Sequence, residues 1–441
     1  MVQVSMDIST PALASMLVLV AIVLFSCFKD VNVGILGVAG GILVGMVFSG
    51  MKVGAVYKGW PINLFMILVG VTFMFSCAQV NGTMQKLSAS CVRLAKGNVA
   101  LIPFIIFVLV TFVVTIGPGN IAGTALLAPV CMAIAGRIGL SPFCMTLLVV
   151  GAANGAAFSP FAPTGLISNG IIAKIAPKIG IPESALEGIG WKVHWNSEIA
   201  QGFVNIGGFF LTGGAAWMMK VRGNADFDIN EIAPKPEPLD WKQKYTLFTI
   251  FVLVCAVIFF KLDVGAVAFV IGTTYIVFGI ADDGAAVKAM PWGVMVMVCG
   301  MSVLIDVMDK AGGLNALIDM IAVVSNGTTI NGVVGFIAGL ISAYSSSSGV
   351  VMPMFLNMVP GLLEAVGTAG DPERAIALIS SINIGAHLVD TSPLSTLGAL
   401  CIANAVTEDK GTLFRNLLFW GLSMSLVGAV VCYVAFGVLG L

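Results

Sequence analysis

Charge is what this sequence has least of. Only 10% of its 441 residues are Asp, Glu, Lys or Arg, against about 25% in soluble proteins. Twenty-one cationic and 22 anionic side chains cannot clothe a water-facing surface on so long a chain. That excludes a soluble enzyme, a nucleic-acid binder and a disordered scaffold. A net charge of −1 and a pI near 6.1 leave no basic excess for a polyanion. Histidine is nearly missing, at two residues, and none of the nine cysteines forms a CxxC pair. Neither a zinc site nor a disulfide framework is expected, and the scattered cysteines read as small apolar packing residues. No Walker A motif, HExxH motif or Ser/His/Asp order occurs, so neither direct ATP drive nor enzyme chemistry is indicated. No Lys or Arg precedes the first apolar run, so the N-terminus lacks the basic start of a secretory signal and reads as a retained span.

What is abundant is apolar. Hydrophobic residues reach 58%, mean hydropathy is +1.04, and glycine stands at 52 residues. Runs long enough to cross a bilayer lie near 10–28, 33–50, 61–80 and 198–219, then near 245–260, 264–280, 292–308 and 414–440. Four further apolar regions are interrupted. The run from 101 meets Gly117-Pro118-Gly119-Asn120, and the run from 141 meets Ser159-Pro160 through Gly165. In the second half, 331–366 is broken at Ser345–Gly349, and 373–406 at Asp390–Gly398. The charged, proline-rich stretch 221–243 is the clear extramembrane segment. It divides the chain into a first repeat, 1–220, a cytoplasmic linker, 221–243, and a second repeat, 244–441.

The halves align. Val33-Gly34 matches Val264-Gly265 at an offset of 231, and Pro61, Gly70 and Gly82 match Pro291, Gly300 and Gly312 at 230. Ser159-Pro160 through Gly165 matches Ser392-Pro393 through Gly398 at 233. Each half holds four plain spans, a hairpin that need not cross, and one broken span. Five crossings is an odd number, so the second copy should sit upside down in the membrane. With the N-terminus outside, thirteen of the 21 Lys and Arg fall inside and eight outside, the sign that the positive-inside rule asks for.

Broken helices expose backbone groups, which survive at membrane depth only against protein or a cavity. Hydroxyl and amide residues gather at these breaks: Asn120, Ser159, Thr164, Ser345–Ser348, Thr391, Ser392, Ser395 and Thr396. Helix N-termini there would offer free N–H groups and partial positive charge to a carboxylate, while unwound carbonyls suit a cation. Simple kinks and packing contacts use the same residue types, so the argument rests on the symmetric set of four breaks. Asp390 lies beside the second break, with His387 three residues earlier. It is either a cation ligand or proton acceptor, or the N-cap of the next segment. The aligned first-half residue is Ala157, so the two sites should differ chemically. Asp306 reads as a packing residue, and His194 and Glu198, in the apparent loop WKVHWNSE, as interfacial anchors.

These segments resemble a known family. LFMILVGVTFMFSCAQVNGTMQKL, AKGNVALIPFIIFVLVTFVVTIGPGNIAGTALLAPV and MTLLVVGAANGAAFSPFAPTGLISNGIIAK look like the N-terminal domain of MatC-type malonate/dicarboxylate carriers. ISAYSSSSGVVMPMFLNMVP and LVDTSPLSTLGALCIANA resemble that family's second hairpin and second break. The family belongs to the ion-transporter superfamily that includes the divalent-anion/sodium symporters. The resemblance implies hairpin tips meeting broken helices near the midplane, a scaffold, a moving transport domain and a homodimer. The symporters carry Ser-Asn-Thr at both tips. Here the first tip reads Gly119-Asn120-Ile121, which leaves a sodium site in the first half short of hydroxyls.

The expected fold is an all-α polytopic membrane protein of two inverted repeats, each with a re-entrant hairpin and a broken transmembrane helix. The expected function is secondary active transport of a small dicarboxylate across the cytoplasmic (inner) membrane, coupled to sodium or protons, with no further cofactor, no transition metal and no nucleic-acid partner. A cation/proton exchanger, or the membrane subunit of a binding-protein-dependent complex, are the alternatives. Candidate substrate-binding residues are Gly119, Asn120, Ser159, Pro160, Thr164, Gly165, Ser346, Ser347, Ser348, Ser392, Pro393, Ser395 and Thr396. Candidate cation ligands are Asn120, Ser347, Asp390 and Thr391.

Overall fold

The computed structural model describes residues 8–29, 31–92, 99–182, 184, 186–221 and 237–441. Its elements are helical, and no strand occurs among the described residues. The first half runs α1 (Thr10–Phe28), α2 (Val33–Leu43), α3 (Val53–Tyr57), α4 (Ile62–Val80) and α5 (Thr83–Val92). It continues with α6 (Ile102–Thr115), α7 (Gly119–Arg137), α8 (Pro142–Ala156), α9 (Pro163–Ile175), α10 (Leu186–Phe209) and α11 (Ala215–Val221). The second half holds α12 (Trp241–Phe260), α13 (Val264–Val277), α14 (Asp283–Ala289), α15 (Trp292–Lys310) and α16 (Gly313–Val323). After these come α17 (Ile330–Ser342), α18 (Met352–Ala365), α19 (Pro372–Leu388), α20 (Thr396–Asn404) and α21 (Lys410–Cys432). Helices α12 to α21 repeat α1 to α10 in order. Among the described residues, Ile62–Val80, Gly119–Arg137, Trp292–Lys310, Ser347–Ala365 and Lys410–Val438 are long and apolar enough to cross a bilayer.

Close glycine contacts fix how the halves meet. A methyl group on Gly34 would lie 2.2 Å from the Val296 carbonyl oxygen, and one on Gly41 3.2 Å from a Val303 methyl. Helices α2 and α15 therefore run side by side in one direction. Gly265 meets Ile67 and Gly272 meets Phe73 and Met74, so α13 and α4 are parallel too. Helix α4 opposes α15: Gly59, just before α4, packs on Asp306, whereas Thr72 reaches Met295 near the start of α15. Counterparts α2 and α13 thus point opposite ways. The contacts are reciprocal. A methyl on Gly70 would fall 2.2 Å from the Gly265 oxygen, and one on Gly300 2.1 Å from the Gly34 oxygen. Two inverted repeats, related by a two-fold axis in the membrane plane, account for this exchange.

Because a backbone oxygen cannot rotate away, Gly70→Val or Gly300→Val should cost about 3 kcal/mol or more, the upper end of overpacking. Thermal unfolding in detergent checks this. Gly54→Val, where an added methyl would meet nothing within 4 Å, should shift the midpoint far less.

The helices sort into two bodies. Helices α1–α4 pack with α12–α15, and α6–α10 with α17–α21. The arms cross over between repeats, since α7 packs on α20 and α18 on α9. Leu68, Val71, Ile167, Ile171, Met301, Phe355 and Val359 share the apolar core that joins the bodies.

Two element starts differ from the sequence reading. Residues 222–236, most of the linker, lie outside the described residues, and α12 begins at Trp241, inside the segment assigned to it. Asp240 explains that start: its carboxylate accepts from the Gln243 amide while Gln243 reaches back, forming a capping box. The span expected at 198–219 starts twelve residues earlier, at Leu186, and ends in a π turn kinked at Thr212 and Gly213. His194 and Glu198 are therefore not in a loop at the interface. Both sit within α10 and are buried, at 2% and 9% exposure.

Candidate functional site

A cavity of about 700 Å³ lies between the two bodies. Both hairpin tips and both breaks reach it: Gly117–Ala122, Ser342–Ser348, Pro163 and Thr164, and Asp390 with Leu394–Leu397. The facing wall comes from α4 (Thr72, Phe75, Ser76, Gln79) and from Pro291, Val294 and Met297 at the start of α15. Val31, Met84 and Ala289 line it as well. One face of the protein gathers these ends. Asn32 donates to the Gly293 carbonyl, Gln243 to Asn81 and Lys86 to Pro238.

Local sequence builds each tip and break. Tip one turns at Gly117, where φ is +143° and an added methyl would strike the Phe75 ring at 1.9 Å. Gly119 follows at φ +78° and packs on Pro163, which opens α9. Asn120 donates from Nδ2 to Asn154 Oδ1 at 3.0 Å, and Asn154 in turn donates to the His387 carbonyl at 2.9 Å. Tip two is built on a related plan. Ser348 Oγ meets His387 Nε2 at 3.2 Å, and His387 is the residue 233 places after Asn154. His387 Nδ1 lies 3.0 Å from the Asn383 carbonyl and donates there, so Nε2 is the ring nitrogen that faces Ser348. Ser347 donates to Asp390 at 2.9 and 3.0 Å and pairs with Ser342 at 2.7 Å. The first half has Ala157 in the place of Asp390. The carboxylate–hydroxyl contact therefore exists on one side only. Thr164 and Ser348, 3.5 Å apart, join the first break to the second tip.

Gly119, Asn120, Thr164, Ser346, Ser347, Ser348, Ser395, Thr396 and Asp390 all line the cavity. Ser159, Pro160, Gly165, Thr391, Ser392 and Pro393 do not; they shape the breaks. Ser159 donates to the Thr115 carbonyl at 2.7 Å and receives the Phe161 N–H at 3.3 Å. Ser392 likewise receives the Leu394 N–H at 3.2 Å. Gly165 and Gly398 sit where a methyl would fall 2.0 and 2.1 Å from the Ser159 and Ser392 oxygens. Thr391 turns to the Leu388 carbonyl at 3.5 Å. Asp390 caps no helix. It lies in a 3-10 turn, and the N-cap of α20 is Ser395. Asp306 pairs with Lys310 at 2.5 Å, away from the cavity. Asn154 and Ser342 were missed by sequence reasoning, although the offset from His387 marks Asn154. Among the described residues, no three His, Cys, Asp or Glu side chains gather at one point.

Fold and site together define a multi-pass membrane protein whose two inverted repeats meet at a shared cavity. Residues 9–157, about a third of the chain, match the family described as the dicarboxylate carrier protein MatC N-terminus. The fold is similar to that of the YdaH transporter of Alcanivorax borkumensis, known from a crystal structure. Identity there is 18%, 87% of each chain is covered, and the TM-score is 0.58. No curated protein matches the chain in sequence.

Proposed function

We propose that this protein is a secondary carrier moving a small dicarboxylate, of the malonate or C4 class, across the cytoplasmic membrane with a cation, by alternating access. One observation carries the reading. Among the described residues the cavity wall contains no Lys, Arg or His, yet four helix starts reach it: α7 at Gly119, α9 at Pro163, the Ser347 turn leading into α18, and α20 at Thr396. Each N-terminus is worth roughly half a positive charge, so four sum to about the charge of a dianion. Asp390 subtracts one unit, and a co-bound cation restores it. Oxygens of Asp390, Ser347 and Ser342 are the natural first ligands for a hard cation, which prefers oxygen. The volume falls within the roughly 300–1,000 Å³ of small-molecule sites. A single carboxylate in the wall fits an exchanger of cations alone poorly.

Lys29, Lys86, Lys242, Lys244 and Lys288 lie at the ends gathered around Asn32 and Gly293, whereas Lys52, Lys58 and Lys310 lie at the opposite ends of α2, α4 and α15. By the positive-inside rule the lysine-rich face is the cytoplasmic one. Uptake of labelled malonate, succinate and citrate into proteoliposomes, with and without sodium and a pH gradient, tests the proposal. At least one acid should accumulate above its equilibrium level under a cation gradient. Equilibration alone, or no uptake of any acid, would sink it.

A further inference from the structure

Outside the cavity, one helix carries a buried polar file that nothing above uses. His194, Ser197, Glu198, Gln201 and Asn205 follow α10 at three- and four-residue steps, so they share one face. All are 9% exposed or less. His194 Nδ1, Ser197 Oγ, Glu198 Oε2, Gln201 Nε2 and Asn205 Oδ1 each lack a hydrogen-bond partner. Glu198 is the ionisable centre of this file. Its Oε1 accepts from Thr111 of α6, the first hairpin's outer arm, at 3.0 Å. Its Oε2 lies against Gly155, in the last turn of α8 before the first break: a methyl there would sit 2.4 Å from that oxygen. The neighbouring residue, Asn154, holds the tip Asn120.

We propose that Glu198 is a proton-carrying group of the first repeat, taking up a proton on Oε2 and releasing it during the transport cycle. It is the carboxylate that the first break lacks where the second has Asp390. The proposal rests on the carrier reading above. Packing selects a proton over a metal ion. Oε2 against the Gly155 backbone leaves room for a hydrogen but not for the several oxygen ligands of a hard cation. Oε1 already has its donor, which leaves Oε2 as the oxygen available to carry the proton.

The surroundings contain little else that titrates. Helix α6 has no acid, base or cysteine, and α8 has only Cys144, at its far end beside Thr212. Helix α19 brings Glu373 and Arg374 in its first turn, where Glu373 pairs with Lys192 of α10, and His387 in its last, engaged by Ser348 and Asn383. Helix α9 has Lys174 in its last turn, and α21, which meets α10 through Trp420 at Gly208, has Lys410 and Arg415 near its start. On α10 itself His194 stands one turn before Glu198.

The test uses full-length protein in proteoliposomes, wild type and Glu198→Gln, with labelled malonate, succinate and citrate as probes. The expected result is substrate counterflow within about twofold of wild type and uptake driven by a pH gradient at least tenfold lower. Infrared difference spectra should show a protonated-carboxyl band in wild type that Glu198→Gln removes and Thr111→Val shifts. Unchanged pH-driven uptake in Glu198→Gln, or a band that persists in it, overturns the proposal. So does a response to sodium lost in place of the response to pH. Should wild type move none of the three acids, the carrier reading fails while the infrared band still decides Glu198. Should Glu198→Gln not fold, Glu198→Asp and Thr111→Val take its place: each should shift the band and the pH dependence of uptake, and no shift in either variant overturns the proposal.

Discussion

Asp390→Asn should lower cation-driven uptake by about a hundredfold and leave the protein folded. The amide matches the carboxylate in shape, and its Oδ1 still accepts from Ser347, which now donates to both carboxylate oxygens at 2.9 and 3.0 Å. What disappears is the carboxylate, in a wall that has no other ionisable side chain among the described residues. Losing a charge-assisted ligand at a low-dielectric site costs about 3 kcal/mol, and each 1.4 kcal/mol is about tenfold. A capping residue would behave differently. Its loss costs about 1 kcal/mol of stability, less with Asn, and leaves coupling alone. The structure speaks against that role, because α20 starts after Ser395 and the carboxylate is turned toward the hairpin tip. Uptake by the purified variant across a sodium series and a pH series, beside its thermal midpoint, separates the outcomes. Wild-type cation dependence in Asp390→Asn would move the coupling site to carbonyls and hydroxyls.

Punctuation was legible in the sequence, and faces were not. Gly-Pro-Gly-Asn at 117–120 and Ser-Pro at 159 and 392 announce tips and breaks because Pro removes a donor and Gly permits positive φ. The structure places the breaks there, with α8 ending at Ala156 and α9 opening at Pro163. The repeat was legible for a related reason: Gly34, Gly70, Gly265 and Gly300 are required by backbone contact, so their spacing persists. Helix α10 was misplaced because hydropathy averages around a helix. Its His194, Glu198, Gln201 and Asn205 look like a loop when summed with their neighbours. In the fold they face α8 and its partners, while Trp195, Ile199 and Phe203 point outward at 55%, 67% and 75% exposure. Within the candidate site, residue type alone could not separate Ser159, which holds the break together, from Ser347, which opens on the cavity. Both are hydroxyls beside a kink; only the partner atoms, Thr115 O and Asp390, tell them apart.

Gly165→Ala and Gly398→Ala should each reduce uptake by about a hundredfold, although each adds one methyl. In the first break that methyl would sit 2.0 Å from the Ser159 oxygen and 2.6 Å from that of Phe158. In the second it would sit 2.1 Å from the Ser392 oxygen and 2.7 Å from that of Thr391. All four obstacles are backbone, so no rotamer change relieves them, and the break must open by more than an ångström to reach ordinary contact. Gly119 packs directly on Pro163, so an opened first break moves the tip that lines the cavity. The strain belongs at the upper end of overpacking, about 3 kcal/mol, which converts to about a hundredfold. The two variants should differ in kind. Gly398→Ala displaces Thr391, the neighbour of Asp390, and should raise the sodium or proton concentration needed for half-maximal uptake. Gly165→Ala has Ala157 where the second break has Asp390, and should weaken substrate affinity with the sodium requirement unchanged. Gly188→Ala, where a methyl would meet nothing within 4 Å, is the control. Normal transport by either break variant would reduce that break to a passive kink, and identical cation responses in both would remove the asymmetry that Asp390 and Ala157 impose.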